Sequence, residues 1–314
     1  MYGIQSIDLI LTYECNLNCF YCFLNPIRKK AGKEKYLSIE VIDRRLSLIK
    51  KEGNEIRNIS LYGGEIMLLN DSKYIEDVIS VCRDYFPSVS IGVISNLLYV
   101  NDKVLNVVLD NNCNLSTSYD SLRFLGNDVL RKKWLSNMKL LSKFVSTIIV
   151  LSSKSILEDI EFLKDKIDNS IKLFIIPLFI PEEMEREEKM YIFKFILSPE
   201  FYVRSVKYIR EKYDNIKLQN WDGGYVFNNI HILPDGHMYS IGPGQRYPYE
   251  RLYKFSSEET FVFTFSKERI EYISRQISYC LPCSFYPHRC YAEFFYPNDC
   301  LGEKLFSNRD DVIY

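Results

Sequence analysis

The sequence lacks the charge excess and the long apolar run that would direct a protein to nucleic acid or to a membrane. It carries 40 Lys and Arg against 41 Asp and Glu, so its formal net charge is −1. A chain with so little net charge has no global attraction to a polyanion or to an anionic bilayer. Its longest apolar run, residues 173–180, is far shorter than the roughly 20 residues that a transmembrane helix needs. We therefore predict no nucleic-acid partner and no membrane partner.

A secretion signal is also lacking. Residues 1–6 contain no cationic stretch followed by an apolar one. The nine cysteines of the chain consequently indicate a reducing compartment, and metal ligation rather than disulfide bonds, so we predict a cytoplasmic location. The sequence also has no Ser/His/Asp constellation and no phosphate-binding P-loop motif. The cysteines are therefore its most informative residues.

Short β-branched segments alternate with longer amphipathic segments in the first part of the chain. The pattern predicts strands at 5–12, 58–62, 90–95, 115–119, 147–151 and 171–177, and helices at 38–52, 71–86, 102–111, 128–144 and 156–167. Repeated strand-then-helix units indicate parallel strands joined by right-handed crossovers. The predicted fold class is α/β, a partial (β/α)6 TIM-like barrel. It should be open on one side, because a complete barrel has eight units.

The pattern changes after about residue 215. A long helical region is predicted at 182–213, and beyond it turns at 221–224 and 234–237 separate alternating apolar positions. Such an arrangement is typical of hairpins. We therefore predict two domains, with residues 1–215 forming the barrel and residues 216–314 forming a small C-terminal domain.

Three cysteines directly follow the first predicted strand. Cys15, Cys19 and Cys22 have the spacing C-x3-C-x2-C. Three thiolates can hold a [4Fe–4S] cluster and leave one iron open to a substrate or cosubstrate. A zinc knuckle usually closes with a fourth ligand nearby, whereas the next cysteine here is Cys82. A disulfide pair and ordinary core cysteines are the remaining alternatives.

This spacing resembles the cysteine motif of the radical S-adenosylmethionine (SAM) enzymes. The resemblance implies that the open iron chelates the amino and carboxylate groups of SAM, and that an electron from the cluster cleaves the sulfonium. The products would be methionine and a 5′-deoxyadenosyl radical, which abstracts a hydrogen atom from the substrate. The resemblance also implies a flavodoxin- or ferredoxin-type electron donor.

Later motifs resemble SAM-contacting motifs of the same family, and each falls at the end of a predicted strand, where α/β folds bind ligands. The second strand ends in Gly-Gly-Glu, although Ile66 replaces the usual proline, and its glycines let the backbone approach a ligand closely. The third strand ends in Ser-Asn, and the fourth in Ser-x-Asp-Ser, where the family pattern ends in glycine. The resemblance thus implies cofactor-binding roles for Gly63, Gly64, Glu65, Ser95, Asn96, Ser118 and Asp120.

The aromatic and acidic positions have structural alternatives. Ser118 and Asp120 share one face of a strand by the two-residue period, so the Asp120 carboxylate can accept hydrogen bonds from ribose hydroxyls or from a substrate amine. Asp120 or Ser121 can equally cap the helical segment that follows. Tyr21 matches an aromatic position that lies near the adenine in the family, and its alternative role is packing.

A second group of cysteines lies near the C-terminal end of the sequence. Its placement resembles the SPASM and twitch extensions of radical SAM enzymes, which carry auxiliary iron–sulfur clusters. A full SPASM extension holds two clusters, but Ile241 occupies a position where a ligand of the nearer cluster is expected. We therefore predict one auxiliary [4Fe–4S] cluster, with zinc as the alternative metal and His288 or a substrate group as the alternative fourth ligand. Its predicted ligands are Cys280, Cys283, Cys290 and Cys300.

Many enzymes with such an extension modify ribosomally made peptides, so the resemblance implies oxidation or cross-linking of a peptide by hydrogen abstraction. Their leader-binding domain often precedes the barrel, whereas this cluster motif begins at residue 15. We therefore expect a separate leader-binding protein, direct peptide binding at the open barrel edge, or a small-molecule substrate. Dehydrogenation of a small molecule is the alternative reaction, and a redox-sensing iron–sulfur protein is the alternative outside enzymes. The remaining Cys82 and Cys113 are predicted to be core residues.

Overall fold

The computed structural model describes residues 5–22, 24–30, 35–167, 170–177, 229–236, 238–239, 253–257 and 260–265, with a few single positions between 187 and 213. The predicted helical region 182–213 therefore falls largely outside the described residues. The predicted turn at 221–224 and the four C-terminal cysteines also lie outside them.

The six predicted strands and the five predicted helices are confirmed, with strand bounds that differ by at most two residues. The strands are β1 Ser6–Thr12, β2 Asn58–Gly63, β3 Ser90–Ser95, β4 Asn114–Tyr119, β5 Val145–Ser152 and β6 Lys172–Pro177. A short helix that the pattern did not predict, α1, directly follows the cysteine motif. The helices are α1 Leu24–Lys30, α2 Ile39–Lys51, α3 Ser72–Tyr85, α4 Asp102–Asp110, α5 Asp128–Leu141 and α6 Ile156–Lys166.

The strands form one sheet in which chain order and spatial order agree from β1 to β6. Two further strands, β7 Asn229–Ile232 and β8 Met238–Tyr239, complete the order β6-β5-β4-β3-β2-β1-β7-β8. β7 pairs in parallel with β1 and antiparallel with β8, which confirms the predicted hairpin at 234–237. The sheet thus has seven parallel strands, the seventh from beyond residue 215. A separate antiparallel pair contains β9 Tyr253–Ser257 and β10 Thr260–Phe265.

Successive side chains of β1 lie on opposite faces of the sheet. Ile7, Leu9 and Leu11 belong to the main apolar core, which also includes buried residues of the helices. Because successive strand side chains point to opposite faces, Asp8 and Ile10 occupy the other face. Ile10 belongs to a smaller apolar cluster that packs against Cys22. The cysteine motif therefore contacts the face of the sheet that the main core does not use.

Polar side chains mark the starts of the long helices. Ser38, Asp71, Asn101 and Asn127 each accept a hydrogen bond from a backbone N–H two or three residues further on. These N-caps satisfy backbone donors that the helix itself leaves unpaired. Within the described part of the chain, none of the helices is both long enough and apolar enough to cross a membrane.

Candidate functional site

Four loops meet at the carboxyl-terminal edge of the sheet. They follow β1, β2, β3 and β4, which are consecutive neighbours in the sheet. Parallel strands end at the same edge, so residues that are far apart in sequence become neighbours there. The segment from Tyr13 to Cys22, called here the cysteine loop, contacts each of the other three loops through Glu14, Asn16 and Tyr21.

Local hydrogen bonds fold the cysteine loop into turns. The backbone N–H of Cys22 donates to the Cys19 carbonyl oxygen at 3.0 Å. Asn25 donates to the same oxygen with its side chain at 2.8 Å and to the Cys22 carbonyl oxygen with its backbone N–H at 3.0 Å. The backbone N–H of Leu17 points at the Cys15 sulfur, 3.4 Å away. The three thiols are thus held in place, and all three are free cysteines.

The cysteine loop fits an iron–sulfur cluster better than a single metal ion. No three His, Cys, Asp or Glu side chains of the described residues converge in the way one ion requires. Each cysteine of a cluster binds a different iron, so its thiolates stand further apart. Burial raises the pKa of all three thiols, that of Cys22 to about 11. The thiols are therefore protonated at neutral pH, and binding of iron would release their protons.

The two glycines of the Gly-Gly-Glu motif bring backbone against backbone. The N–H of Gly64 donates to the Thr12 carbonyl oxygen, and the N–H of Glu65 to the Glu14 carbonyl oxygen, both at 2.7 Å. A Cβ atom on Gly63 would overlap the Thr12 oxygen, and one on Gly64 would overlap the Glu14 oxygen. Gly63 also has a φ of +147°, which favours glycine. The close approach, expected toward a ligand, is made here to the cysteine loop.

Glu65 is buried and joins the ends of β2 and β3. Its carboxylate accepts hydrogen bonds from the Ser95 hydroxyl and the Asn96 backbone N–H, both at 2.6 Å. It also accepts from the Met67 backbone N–H at 3.0 Å and so caps the short helical turn Ile66–Leu68. Burial raises the pKa of Glu65, and these hydrogen bonds oppose that rise. The carboxylate is therefore a structural junction of the site.

Asn96 connects β3 to the cysteine loop. Its side-chain N–H₂ donates to Asn16 Oδ1 at 2.7 Å and lies 3.8 Å from the Cys15 sulfur. The next residue, Leu97, has a φ of +54° although it is not glycine, a conformation that needs support from its surroundings. Asn137 of α5 supplies it by donating to the Leu97 carbonyl oxygen at 2.7 Å. The positive-φ residue thus directly follows the asparagine that lies beside the first cysteine.

Asp120 follows β4 and has the structural role that the sequence left open. Its carboxylate accepts hydrogen bonds from the Tyr21 hydroxyl at 2.6 and 2.7 Å, and it caps the helical turn Ser121–Phe124 through the Arg123 N–H at 2.9 Å. It also forms an ion pair with the Arg123 guanidinium at 2.9 Å. Because Tyr21 belongs to the cysteine loop, its hydrogen bond to Asp120 ties the loop to the end of β4.

Ser118 lies two residues before Asp120 and is only half-buried. Its carbonyl oxygen accepts a hydrogen bond from Arg123 Nη1 at 2.9 Å. Its neighbour Thr117 contacts Trp134 on the core side, so the Ser118 side chain belongs to the opposite face by strand alternation. The structure thus leaves Ser118 on the face that Ile10 shares with Cys22.

Sequence reasoning missed two arginines of the site. Arg123 was visible only as a basic residue three positions after a possible helix cap. Arg28 of α1 acts electrostatically on Cys15 and Cys22, lowering the pKa of both thiols against the larger effect of burial. Its Nε atom is buried and has no hydrogen-bond partner among the described residues. A buried donor without a partner is costly, and an anionic or carbonyl oxygen of a ligand would satisfy it.

A buried carboxylate behind Asp120 was also missed. Asp159 of α6 accepts hydrogen bonds from the Ser121 N–H at 3.2 Å and from the Ser155 hydroxyl at 3.3 Å. Burial raises its pKa to about 6. The signal was present in the sequence, because Asp159 shares the apolar helix face with Ile156, Ile160 and Leu163. A carboxylate on such a face usually has a specific partner.

Comparison with known proteins identifies the family. A model of the radical SAM superfamily matches residues 9–193, which is more than half of the 314 residues. The chain therefore belongs to the radical SAM superfamily, whose members are enzymes that use a [4Fe–4S] cluster and SAM. Among individual relatives, an uncharacterized protein of Methanocaldococcus jannaschii is 27% identical over 199 residues. This alignment covers 58% of this chain and 65% of the relative. The chain therefore spans less than two thirds of that protein's length.

Solved structures of anSMEcpe have a similar fold. The native protein with bound SAM has a TM-score of 0.63 and 16% identity, over 90% of this chain and 87% of that chain. The native protein with bound SAM and the Kp18Cys peptide has a TM-score of 0.62 and 16% identity, over 91% and 88% of the two chains. Identity this low shows the fold alone. The predicted α/β fold of the partial TIM-like barrel type is thereby confirmed.

Proposed function

We propose that this enzyme cleaves SAM reductively and uses the 5′-deoxyadenosyl radical to modify a ribosomally made peptide by oxidation or cross-linking. The observation that carries the proposal is the hydrogen-bonded junction of the cysteine loop with the Gly-Gly-Glu loop and with Asn96. It supports three thiols in a preorganised loop at the strand ends, where this fold class binds its ligands. A [4Fe–4S] cluster held by Cys15, Cys19 and Cys22 would supply the electron for cleavage.

The protein's own residues would orient SAM beside the cluster. Arg28 is the residue we propose for an anionic group such as the SAM carboxylate, because its buried Nε has no hydrogen-bond partner in the described part of the chain. Ser118 is a candidate for a hydroxyl contact because it is half-buried on the ligand-accessible face. Glu65, Asn96 and Asp120 would act by holding the four loops in register, since their polar atoms are engaged within the protein. The Gly63–Gly64 backbone would line the site from β2.

The proposal of a peptide substrate rests on the similarity of this fold to that of anSMEcpe. anSMEcpe has been solved with both SAM and a peptide bound, and its fold covers most of this chain. A barrel that is open on one side offers an edge along which an extended peptide can lie. The test is deoxyadenosine formation by the anaerobically reconstituted protein under reducing conditions, with and without peptides encoded by neighbouring reading frames.

Three results of this assay separate the possibilities. The proposal is supported if deoxyadenosine formation depends on all three loop cysteines and rises when one peptide is added. Formation that no such peptide accelerates would favour dehydrogenation of a small molecule, and no formation at all would leave the redox-sensor alternative. Cys82→Ala is the matched control for Cys15→Ala, Cys19→Ala and Cys22→Ala, because Cys82 lies buried in α3.

The remaining parts of the proposal concern residues outside the described part of the chain and partners. We infer that the C-terminal part of the chain, residues 216–314 without the barrel strands β7 and β8, forms a small domain that holds one auxiliary [4Fe–4S] cluster. We also infer a flavodoxin- or ferredoxin-type electron donor, a cytoplasmic location and, for a peptide substrate, a separate leader-binding protein. Iron analysis tests the auxiliary cluster. About eight irons should fall to about four when the loop cysteines become alanine, and a fall from about four to none would exclude it. The inferred ligands are Cys280, Cys283, Cys290 and Cys300.

A further inference from the structure

A buried ion pair lies beside the cysteine loop. The Arg123 side chain is 9% exposed and the Asp120 side chain 1%, and their Nη2 and Oδ2 atoms are 2.9 Å apart. A second bond joins Arg123 Nε to the same carboxylate at 3.0 Å. Burying two charges removes both from water, so such a pair often contributes little net stability. Its presence at this site therefore suggests a role besides stability.

The position of the pair relative to the cysteine loop is fixed by Tyr21. This residue lies between Cys19 and Cys22 in the sequence, and its hydroxyl donates to the Asp120 carboxylate. Arg123 is held from its other side by the Ser118 carbonyl oxygen at 2.9 Å. Neither charge can move away without breaking these bonds. The electrostatic effect of the pair on the loop is therefore constant.

Both charges of the pair lie close to the loop cysteines. Asp120 is hydrogen-bonded to Tyr21, which stands two residues after Cys19 and directly before Cys22. The Arg123 guanidinium lies 2.9 Å from the Asp120 carboxylate. Two fixed charges of opposite sign are therefore held beside the segment that would carry the cluster.

We propose that Arg123 and Asp120 set the reduction potential of the cluster that the loop holds, Arg123 by raising it and Asp120 by lowering it. The inference rests on the proposed function, because it requires a cluster on Cys15, Cys19 and Cys22. Reduction adds one electron to the cluster, and a fixed positive charge stabilises the added negative charge. Charge and hydrogen bonding near the sulfurs are established determinants of cluster potential. In a buried site this effect is weakly screened.

The test is an EPR-monitored redox titration of the reconstituted protein without SAM, so that altered SAM binding does not enter. Arg123→Gln should decrease the ratio of reduced to oxidised cluster at a fixed applied potential by about tenfold. Asp120→Asn should increase that ratio. A tenfold change in a one-electron couple corresponds to about 59 mV. The opposite signs of the two shifts in reduction potential are decisive. A general loosening of the site would shift the potential of both variants in the same direction.

Arg131→Gln is the matched control. Arg131 lies in the following helix, donates to the Tyr119 hydroxyl at 3.2 Å and stacks on Phe162 at 4.1 Å. Its replacement should leave the potential unchanged. Arg123→Lys keeps the charge and should stay close to wild type. If Arg123→Gln fails to assemble a cluster, the upward shift expected for Asp120→Asn carries the test.

Two failures are distinguishable. Unchanged potentials, or shifts of equal sign in Arg123→Gln and Asp120→Asn, overturn the inference and leave the proposed function intact. Absence of iron from the loop of the wild-type protein overturns the proposed function, and this inference with it. Iron and sulfide content of every variant is measured first, so that each potential belongs to a cluster of known composition.

Discussion

The side-chain amide of Asn96 donates a hydrogen bond to Asn16 Oδ1 at 2.7 Å, and this bond ties the end of β3 to the cysteine loop. The two residues are 80 positions apart in the sequence. The contact also brings the amide to 3.8 Å from the Cys15 sulfur. One asparagine thus supports both the path of the loop and its first thiol.

Replacement of Asn96 by alanine should loosen the cysteine loop. The variant loses the bond to Asn16 and leaves the buried Leu98 N–H without the Asn96 oxygen that accepts from it, a loss of about 1–3 kcal/mol. We expect deoxyadenosine formation to fall about tenfold, since 1.4 kcal/mol corresponds to a factor of ten. Asn114→Ala is the control, because Asn114 bonds Ser90 at the opposite end of the same strands. Equal rates for the two variants would show that the Asn96 contact is dispensable.

Replacement of Gly64 by alanine should disrupt the junction of β1 and β2. The new Cβ would overlap the Glu14 carbonyl oxygen, which is backbone and cannot rotate away. We expect a loss of about 2–4 kcal/mol in the free energy of unfolding, measured by urea denaturation. The control is Gly92→Ala, whose Cβ meets only the Asn114 carbonyl oxygen at 3.8 Å. It should change stability by less than about 1 kcal/mol, and similar losses at both positions would contradict the close-approach argument.

Replacement of Arg28 by glutamine should weaken SAM binding selectively. No described residue accepts a hydrogen bond from the buried Nε of Arg28, and a charged donor bound to a carboxylate contributes about 1.5–3 kcal/mol. We therefore expect the KM for SAM to rise at least tenfold with little change in iron content. Lys29→Gln changes the adjacent, exposed charge of the same helix and should leave the KM unaltered. An unchanged KM in Arg28→Gln would assign the carboxylate to another residue.

The buried Asp159 makes stability depend on pH in an unusual direction. Burial raises its pKa from about 3.8 to about 6, so the folded state binds more protons than the unfolded state between these values. Stability should therefore fall as pH rises from about 4 to about 6 through this group, by an amount on the order of 2–3 kcal/mol. Asp159→Asn should remove that fall.

Urea denaturation of both proteins at several pH values checks this. The free energy of unfolding of the wild type, relative to that of Asp159→Asn, should decrease over that pH range. Above that range the difference between the two proteins should stay constant. A pH-independent difference would mean that Asp159 has an ordinary pKa. Glu161→Gln on the same helix is the control, because its carboxylate pairs with Lys212 at the surface.

The strands and helices of the barrel were predictable from the sequence because each depends on local patterns. The apolar run of β1 and the amphipathic segment of α3 act within a few residues, and both elements lie where the pattern predicts them. The helix α1 escaped prediction because its seven residues are too few to show a period. The pairing of β7 with β1 escaped it as well. The residue pattern of a short strand does not depend on which distant strand it pairs with, so the pattern does not reveal the partner.

For the site, the sequence by itself determined the chemistry, since the spacing of Cys15, Cys19 and Cys22 within one loop decides which metal group three thiols can share. Only the tertiary structure decided what the other motif residues do. The sequence allows the Asp120 carboxylate to serve a ligand or a helix cap, and the structure shows the cap together with a bond from Tyr21. The physical reason is that a carboxylate has few acceptor sites, and which donors reach them depends on strands that pair across long stretches of chain.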